Sequence, residues 1–343
     1  MAKYNIYFGT YSKGEGKGLF RGVFDGDSGE INLNDSINIE NPAYLQLNNN
    51  ILYGVSETGS FEGENGGALF SVDLSDPKEM RLIDIKPTHG KHPCHLCVTD
   101  NYVFIANYSE GSLSIFETDG AGNIKPSFQS VHHFGKSVNP GRQKESHIHF
   151  ASMTPDNKYL AVCDLGMDKV FLYPYSKESG LSTKAKIIDC PAGSGPRHLT
   201  FSKDGEYLYI LTEMGNSVLA YKYNNGDTQL LAALEADFTV KSTAAAIHVS
   251  PDGKYLGASN RGHDSIVIFN IQKNGKLEFL NHIMTGKEPR DFNFSPDGKY
   301  ILSANQNEDS VTVYKIENDN KFTQIFNISL PSPVCIIFGE EIK

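Results

Sequence analysis

The chain has 343 residues, of which 39% are hydrophobic and 21% are charged, a composition typical of soluble globular proteins. Its formal net charge of -10 argues against nucleic acid or an anionic membrane as a partner, because such surfaces attract basic proteins. The sequence enters a strand pattern at once, without a secretory signal, and no apolar run is long enough to span a membrane. We therefore expect a cytoplasmic protein whose five cysteines are reduced thiols.

One unit recurs along the whole chain: an apolar run that ends in a polar residue, then a short turn, then a strand of alternating hydrophobicity. The seven apolar runs begin at Ile6, Leu52, Val103, Leu160, Tyr209, Leu256 and Ile301. Their polar end residues follow one another at intervals of 45 to 57 residues. A repeat of this length with about four short strands is typical of a β-propeller blade.

Turn signals and the order of the strands complete the prediction. Clusters of Pro, Asp, Asn and Gly precede four of the later runs, at residues 155–157, 203–205, 251–253 and 296–298. The last strand, Val334–Phe338, has no run after it, whereas the first repeat lacks the equivalent strand. We expect this strand to complete the first blade and remove an exposed sheet edge. The sequence thus predicts an all-β protein, a seven-bladed β-propeller forming a single domain over residues 1–343.

Two sets of positions should converge on the central channel of such a ring. The first set opens the innermost strand of each blade: Ala43, Cys94, His149, Arg197, Ala245, Arg290 and Val334. The second set is the polar residue that ends the next strand: Thr10, Glu57, Asn107, Asp164, Glu213, Asn260 and Asn305. Arg261 follows Asn260 directly.

Several side chains in these sets suggest chemistry. Arg197, Arg261 and Arg290 recur in three consecutive blades of an acidic chain, which favours an anion site. Glu213 is either their ion-pair partner or a general base. Strand-end asparagines often only bond turn backbone, but Asn107, Asn260 and Asn305 remain candidate substrate contacts. His147 and His149 share a strand face; without a clear third ligand we expect no metal, and no cofactor is expected.

Short motifs in a constant order carry a family resemblance. They are Tyr7–Tyr11, Pro93–Leu96, Ala106–Tyr108, Ser146–His149, Gly195–Leu199, Thr212–Val218, Ser259–Gly262 and Pro289–Phe292. With this spacing the chain resembles the seven-bladed propeller lactonases, which include bacterial 6-phosphogluconolactonases. The resemblance implies an intracellular hydrolase of the pentose phosphate pathway that opens 6-phosphoglucono-1,5-lactone to 6-phosphogluconate.

The resemblance also implies a set of site residues. By similarity to related fungal carboxymuconate-lactonising enzymes, the catalytic set would be His149 or His147, Arg197, Glu213 and Arg261. Ile148 stands where relatives often have Pro, which leaves the choice of histidine open. We expect water as the nucleophile, with Glu213 or His149 as the general base.

The remaining roles follow from charge. Arg197 and Arg261 would stabilise the oxyanion or hold the substrate, and Arg290, with His198 in support, would bind a phosphate. His147 is a further candidate substrate contact. The expected partner is a small anionic sugar lactone, and the expected state is a monomer or weak homo-oligomer. Two alternatives remain open: another carboxylated lactone, including cycloisomerisation of a muconate, and a non-catalytic scaffold.

Overall fold

The computed structural model describes residues 2–12, 18–126, 129–235, 242–318 and 320–342. In this part of the chain the regular elements are all β-strands. They form seven antiparallel sheets, which we number as blades 1 to 7, and one small hairpin, Ser60–Phe61 with Glu64–Asn65. The described residues contain no helix that could cross a membrane.

Each blade has four strands in order from the channel outwards. Blade 1 consists of Pro333–Ile342, Lys3–Thr10, Gly18–Asp25 and Ile31–Asn38. Blade 2 consists of Pro42–Asn48, Ile51–Ser56, Ala68–Asp73 and Arg81–Pro87. Blade 3 consists of Pro93–Val98, Tyr102–Asn107, Ser112–Glu117 and Gln129–His132. Blade 4 consists of Ile148–Met153, Tyr159–Asp164, Lys169–Ser176 and Lys186–Asp189, and Gly180–Leu181 also pairs with its third strand.

The last three blades repeat the same order. Blade 5 consists of Pro196–Phe201, Tyr207–Thr212, Ser217–Asn224 and Asp227–Glu235. Blade 6 consists of Thr243–Val249, Tyr255–Arg261, Ser265–Ile271 and Leu277–Met284. Blade 7 consists of Pro289–Phe294, Tyr300–Asn305, Ser310–Ile316 and Phe322–Ser329.

The C-terminal strand closes the ring. Pro333–Ile342 pairs antiparallel with Lys3–Thr10, with Ile337 opposite Tyr7. Every inner strand also contacts the inner strand of the next blade, from blade 1 through blade 7 and back. The predicted seven-bladed β-propeller is therefore confirmed, and so is the exchange that joins its two ends.

The hydrophobic core is divided into seven clusters, one between each pair of neighbouring blades. The second strand of a blade is covered on both faces, so all six residues of Ile51–Ser56 are buried. At the far end of blades 4 to 7, a recurring turn joins the first two strands. In blade 5, Ser202 Oγ donates to Asp204 Oδ1 at 2.5 Å, and Tyr207 N donates to Ser202 Oγ at 3.0 Å. These are the turns that the Pro/Asp/Gly clusters predict.

Near its start, each inner strand carries a break in register. In blade 2, Pro42 lies opposite Ser56 and Tyr44 lies opposite Val55, so that Ala43 is left without a partner. The other blades leave out Cys94, His149, Arg197, Ala245 with Ala246, Arg290 and Val334. A β-bulge redirects the side chain of the extra residue. All seven positions predicted to open the inner strands thus lie at bulges near one mouth of the channel.

Candidate active site

A second ring of residues lies beside the bulges, because the second strand of each blade ends opposite the start of the inner strand. The residue that follows the second-strand position paired just before each bulge is, in blade order, Tyr11, Glu57, Tyr108, Leu165, Glu213, Arg261 and Gln306. We call these the rim residues. The sequence pattern is off by one in two blades: the strands end at Ser56 and Thr212, so Glu57 and Glu213 take the same place as Arg261.

The residues at the true strand ends are structural, which corrects three predicted substrate contacts. Asn107 and Asn305 are fully buried and donate to hydroxyl groups of their own blades, with Asn107 Nδ2 at 2.9 Å from Ser114 Oγ and Asn305 Nδ2 at 2.9 Å from Thr312 Oγ1. Asn260 occupies the equivalent position opposite Ala244 and is also fully buried. These amides fix hairpins and do not reach the mouth of the channel.

Glu213 lies at the centre of a cluster of three arginines. Its Oε1 is 2.7 Å from Arg142 Nη2, and its Oε2 is 3.1 Å from both Arg197 Nε and Arg261 Nη2. The Glu213 side chain is only 5% exposed, and that of Arg197 only 3%. Burying a charge is costly unless it is paired and hydrogen-bonded, so these groups depend on one another.

The charges around Glu213 determine its protonation. Burial alone would raise the pKa of its carboxyl group, but Arg261, Arg197 and Arg142 together hold that pKa at about 2. Glu213 is therefore ionised at neutral pH and only weakly basic. An efficient general base has a pKa nearer the working pH, so the geometry favours the ion-pair role over the base role for Glu213.

A second ion pair lies on the opposite side of the mouth. Arg290 Nη2 is 3.6 Å from Glu57 Oε2, and the same oxygen accepts a hydrogen bond of 2.7 Å from Tyr11 Oη. The guanidinium of Arg290 also lies over the Tyr11 ring, 5.1 Å from its centroid. The Arg290 side chain keeps 18% of its surface exposed, so it remains a candidate for binding an anionic group.

His147 and His149 both contact Tyr108. The His147 ring is stacked on the Tyr108 ring with centroids 4.5 Å apart, and the His149 ring meets it edge-on at 5.5 Å. His147 Nδ1 is 3.0 Å from the carbonyl oxygen of Tyr108. Since a carbonyl can only accept, Nδ1 carries the proton and Nε2 keeps its lone pair. His147 is partly exposed, and this nitrogen is therefore suited to accept a proton from water.

The backbone of His147 is held by a buried network beneath it. Asp164 Oδ1 accepts the His147 N–H at 2.9 Å, and Asp164 Oδ2 accepts hydrogen bonds from Ser146 Oγ and His133 Nδ1, each at 2.7 Å. His133 Nε2 in turn lies 2.8 Å from Tyr173 Oη. A group whose surroundings are locked in this way can hold a reacting atom in place.

The other predicted histidines lie deeper. Burial, reinforced by the charge of Arg197, lowers the pKa of both His149 and His198 well below 6.5, so both rings are neutral. His198 Nε2 lies 3.1 Å from Arg197 Nη1, and His198 is only 5% exposed. His198 therefore supports Arg197 from within the channel, and the expectation that it helps to bind a phosphate is corrected.

Arg197 is itself a deep residue. Its Nη1 donates to the carbonyl oxygen of Ala245 as well as approaching His198. Burial and the charges of Arg261 and Arg290 lower the pKa of Arg197 to about 10, which still leaves it protonated at neutral pH. Arg261, which donates from Nη2 to Ala244 O at 3.1 Å, keeps more of its surface exposed.

Sequence reasoning missed Arg142 and the two rim tyrosines. Arg142 Nη2 bridges Tyr108 Oη at 3.1 Å and Glu213 Oε1 at 2.7 Å. It lies in the connection from His132 to Ile148, between blades 3 and 4. The longest repeat interval, 57 residues, falls on this connection, and a long loop is often functional. That interval was the available signal. Tyr11 and Tyr108 could have been found by aligning the rim one residue later.

No group of three or more metal-ligating side chains occurs among the residues that the structure describes. The polar character of the mouth comes instead from guanidinium, carboxylate, imidazole and phenol groups. Such a set can bind an anionic molecule, move a proton through His147 and stabilise negative charge that develops on an oxygen.

Comparisons with known proteins agree with this architecture. The model of the family "Lactonase, 7-bladed beta-propeller" matches residues 5–338. A 6-phosphogluconolactonase of Bacillus subtilis is 34% identical over 308 residues, 86% of each chain, and one of Formosa agariphila is 35% identical over 302 residues, 84% of this chain and 85% of that protein. The structure of a periplasmic gluconolactonase from Pseudomonas aeruginosa matches with a TM-score of 0.92 and 33% identity, covering 98% of this chain and 99% of that chain. The chain therefore belongs to the seven-bladed β-propeller lactonases, and the prediction of a lactone hydrolase is confirmed.

Proposed function

We propose that the protein hydrolyses a phosphorylated sugar lactone, 6-phospho-D-glucono-1,5-lactone, to 6-phosphogluconate, as in the pentose phosphate pathway. The observation that carries the proposal is the charge at the mouth. Four guanidinium groups, of Arg142, Arg197, Arg261 and Arg290, are paired there with only two carboxylates, of Glu57 and Glu213. The formal surplus of two positive charges matches a phosphate dianion.

The names of two relatives support the same substrate, since both are 6-phosphogluconolactonases. The more exposed cations, Arg142, Arg261 and Arg290, are the ones that a phosphate would contact first. Guanidinium groups present paired N–H donors in a fixed fork that fits phosphate oxygens. An uncharged lactone would leave this positive surplus without a counter-charge in a partly desolvated site.

In the proposed reaction, His147 Nε2 removes a proton from water as the water oxygen attacks the lactone carbonyl carbon. A bond forms between these two atoms, and negative charge develops on the carbonyl oxygen. Arg261 donates to that oxygen, while Arg197 holds Glu213 and the Arg261 guanidinium in place from below. The ring C–O bond then breaks, the ring oxygen takes a proton back from His147, and the open-chain hydroxy acid results.

The division of labour differs from the expected one in the choice of base. Glu213 keeps its charge to hold the arginines, and His149 is too deeply buried to meet bulk water. His147 combines partial exposure, a fixed tautomer and a backbone locked by Asp164. General-base catalysis of this kind typically contributes roughly 10²–10⁴ in rate.

The test is a pH-stat assay of purified protein on 6-phosphoglucono-1,5-lactone and on glucono-1,5-lactone, each corrected for spontaneous hydrolysis. We expect the phosphorylated lactone to have the higher kcat/KM and 6-phosphogluconate to inhibit competitively. Equal kcat/KM values for the two lactones, or inhibition by dicarboxylates such as muconate but not by 6-phosphogluconate, would refute the phosphate assignment.

A further inference from the structure

The half of the axial channel away from the arginines holds a separate cavity of about 410 Å³. Its lining comes from residues further along the inner strands of blades 1, 2, 3, 4, 6 and 7. A buried aromatic layer lies between it and the arginine cluster: the His95 ring is 3.9 Å from the Tyr44 ring, 4.1 Å from the Phe150 ring and 5.3 Å from the His198 ring, centroid to centroid. The cavity is therefore distinct from the proposed lactone site.

Two polar groups in the cavity form a dyad with a fixed geometry. Asp291 Oδ1 is 3.1 Å from His248 Nε2, and Asp291 Oδ2 accepts the N–H of Ile336 at 2.9 Å. A carboxylate only accepts, so Nε2 carries the imidazole proton and Nδ1 is left as an acceptor. The His248 side chain is 25% exposed against 6% for Asp291, so a molecule in the cavity would meet the histidine first.

The charge and surface of the lining define the class of ligand. No lysine or arginine is among the described residues that line the cavity, and Asp291 is its one carboxylate. A phosphate or carboxylate would therefore find no cation there. The aromatic rings of Tyr44, Phe150, Phe294 and Phe338 also line the cavity, and such faces pack against the C–H face of a sugar ring. A volume of a few hundred Å³, mostly apolar walls and a few polar groups are typical of small-molecule sites.

An organic cation fits these observations less well. The Asp291 carboxylate is already bonded to His248 and to a backbone N–H, and it lies behind the imidazole. A cation entering the cavity would lose water without reaching that charge directly, which is costly. What the cavity offers is hydrogen-bond acceptors beside aromatic walls, and this suits hydroxyl groups on an uncharged ring.

We propose that this half of the channel is a second ligand site that binds an uncharged cyclic polyol, a neutral mono- or disaccharide, independently of the arginine site. Hydroxyl groups donate to His248 Nδ1, and the sugar ring packs on the aromatic walls. Ser152, which lines the cavity and is partly buried, offers a way to fill the space without removing either member of the dyad.

The probes are D-glucose and maltose, and the readout is saturation-transfer NMR on the full chain at millimolar sugar. We expect a saturable signal that persists in Arg261→Ala and in the presence of 6-phosphogluconate. Ser152→Phe should abolish the signal, whereas the matched control Ser152→Ala should retain it, with thermal unfolding confirming that both variants fold. If Ser152→Phe does not fold, a crystal soaked in D-glucose decides the matter through electron density beside His248.

Three outcomes would overturn the proposal. They are no saturable signal with either sugar, a signal lost in Arg261→Ala but kept in Ser152→Phe, and binding of choline in place of the sugars. None of these outcomes depends on the lactone assay, so the second site and the proposed substrate stand or fall separately.

Discussion

Glu213 shows how one buried carboxylate can organise a cationic site. Three guanidinium groups converge on its two oxygens at 2.7 to 3.1 Å. Without it, Arg197 and Arg261 would repel each other in a poorly solvated space. With it, the donors are fixed before any ligand arrives, and donors oriented in advance cost no reorganisation in the transition state.

We predict that Glu213→Gln destabilises the fold as well as the activity. Removing one partner of a buried ion pair costs about 3–5 kcal/mol, because the arginines are left uncompensated. Urea unfolding at neutral pH measures this loss, and kcat/KM should fall in parallel. The matched control is Glu117→Gln, which removes an exposed pair with Lys125 and should cost less than about 1 kcal/mol.

The same variant makes a prediction about pH. The folded-state pKa of Glu213, about 2, lies below its ordinary value of 4.5, so its ionised form stabilises the fold above the ordinary value. That contribution is lost as the pH falls from 4.5 through about 2. The difference in unfolding free energy between wild type and Glu213→Gln should therefore be constant near neutrality and shrink in this acidic window. A difference that persists undiminished from neutral pH down to the folded-state pKa would contradict the ion-pair role.

We predict that His147→Gln lowers kcat by roughly 10²–10⁴ and changes KM little, since a proton acceptor is lost while the arginines remain. Steady-state kinetics with the phosphorylated lactone provide the measurement. His132→Gln, an exposed histidine on the outer strand of blade 3, is the control and should behave as wild type. If His147→Gln retains wild-type kcat, a different group is the base.

At the scale of the strand, the inner-strand bulges explain what the sequence could and could not predict. Aligning the turns finds all seven bulge positions, because turn chemistry fixes the phase of each inner strand. The bulges themselves leave no such signal. In blades 2 and 5 a short polar residue precedes the glutamate, as in Ser56-Glu57 and Thr212-Glu213, and the pattern therefore places the strand end one residue late.

Other parts of the site were beyond the repeat. Arg142 lies in a connection with no counterpart in the other blades, so its contact with Glu213 follows only from the fold. Asn107 and Asn305 carry the same residue type as a substrate contact would, and only their burial and their bonds to Ser114 and Thr312 reveal a structural role. Residue type and spacing locate the mouth of the channel, but contacts assign the roles.

For the far-end turns we predict a loss of stability without a loss of activity. Asp204→Ala removes the acceptor for Ser202 Oγ and for Glu206 N, and each such bond is worth about 1 kcal/mol. Thermal unfolding should register the change while kcat/KM stays at the wild-type value, because the turn lies at the end of the blade away from the arginines. The control, Asp227→Ala, removes an exposed pair with Lys186 and should change neither quantity.

At the scale of the whole molecule, function depends on closure of the ring. The site draws on Tyr11 in blade 1, Glu57 in blade 2, Glu213 in blade 5, Arg261 in blade 6 and Arg290 in blade 7, and these meet only because the inner strands contact one another all the way round. The strand Pro333–Ile342 is the link that joins blade 7 to blade 1.

We predict that deleting residues 333–343 leaves blade 1 without its inner strand and exposes two sheet edges, which invites aggregation. Size-exclusion chromatography should show large aggregates or an expanded chain. Deleting only residues 339–343 keeps the ladder from Ile6 to Thr10, and this control should elute as wild type. A monodisperse, active product of the longer deletion would contradict the closure argument.

The central claim is that the positive surplus at the channel mouth selects a phosphorylated lactone. The most direct measurement is the ratio of kcat/KM for 6-phosphoglucono-1,5-lactone to that for glucono-1,5-lactone, compared between wild type, Arg290→Gln and Arg81→Gln, a control at an exposed arginine. We expect Arg290→Gln to lower the ratio by at least about tenfold, the effect of roughly 1.4 kcal/mol, and Arg81→Gln to leave it unchanged. A ratio near one in wild type, or a ratio that Arg290→Gln does not alter, would contradict the account.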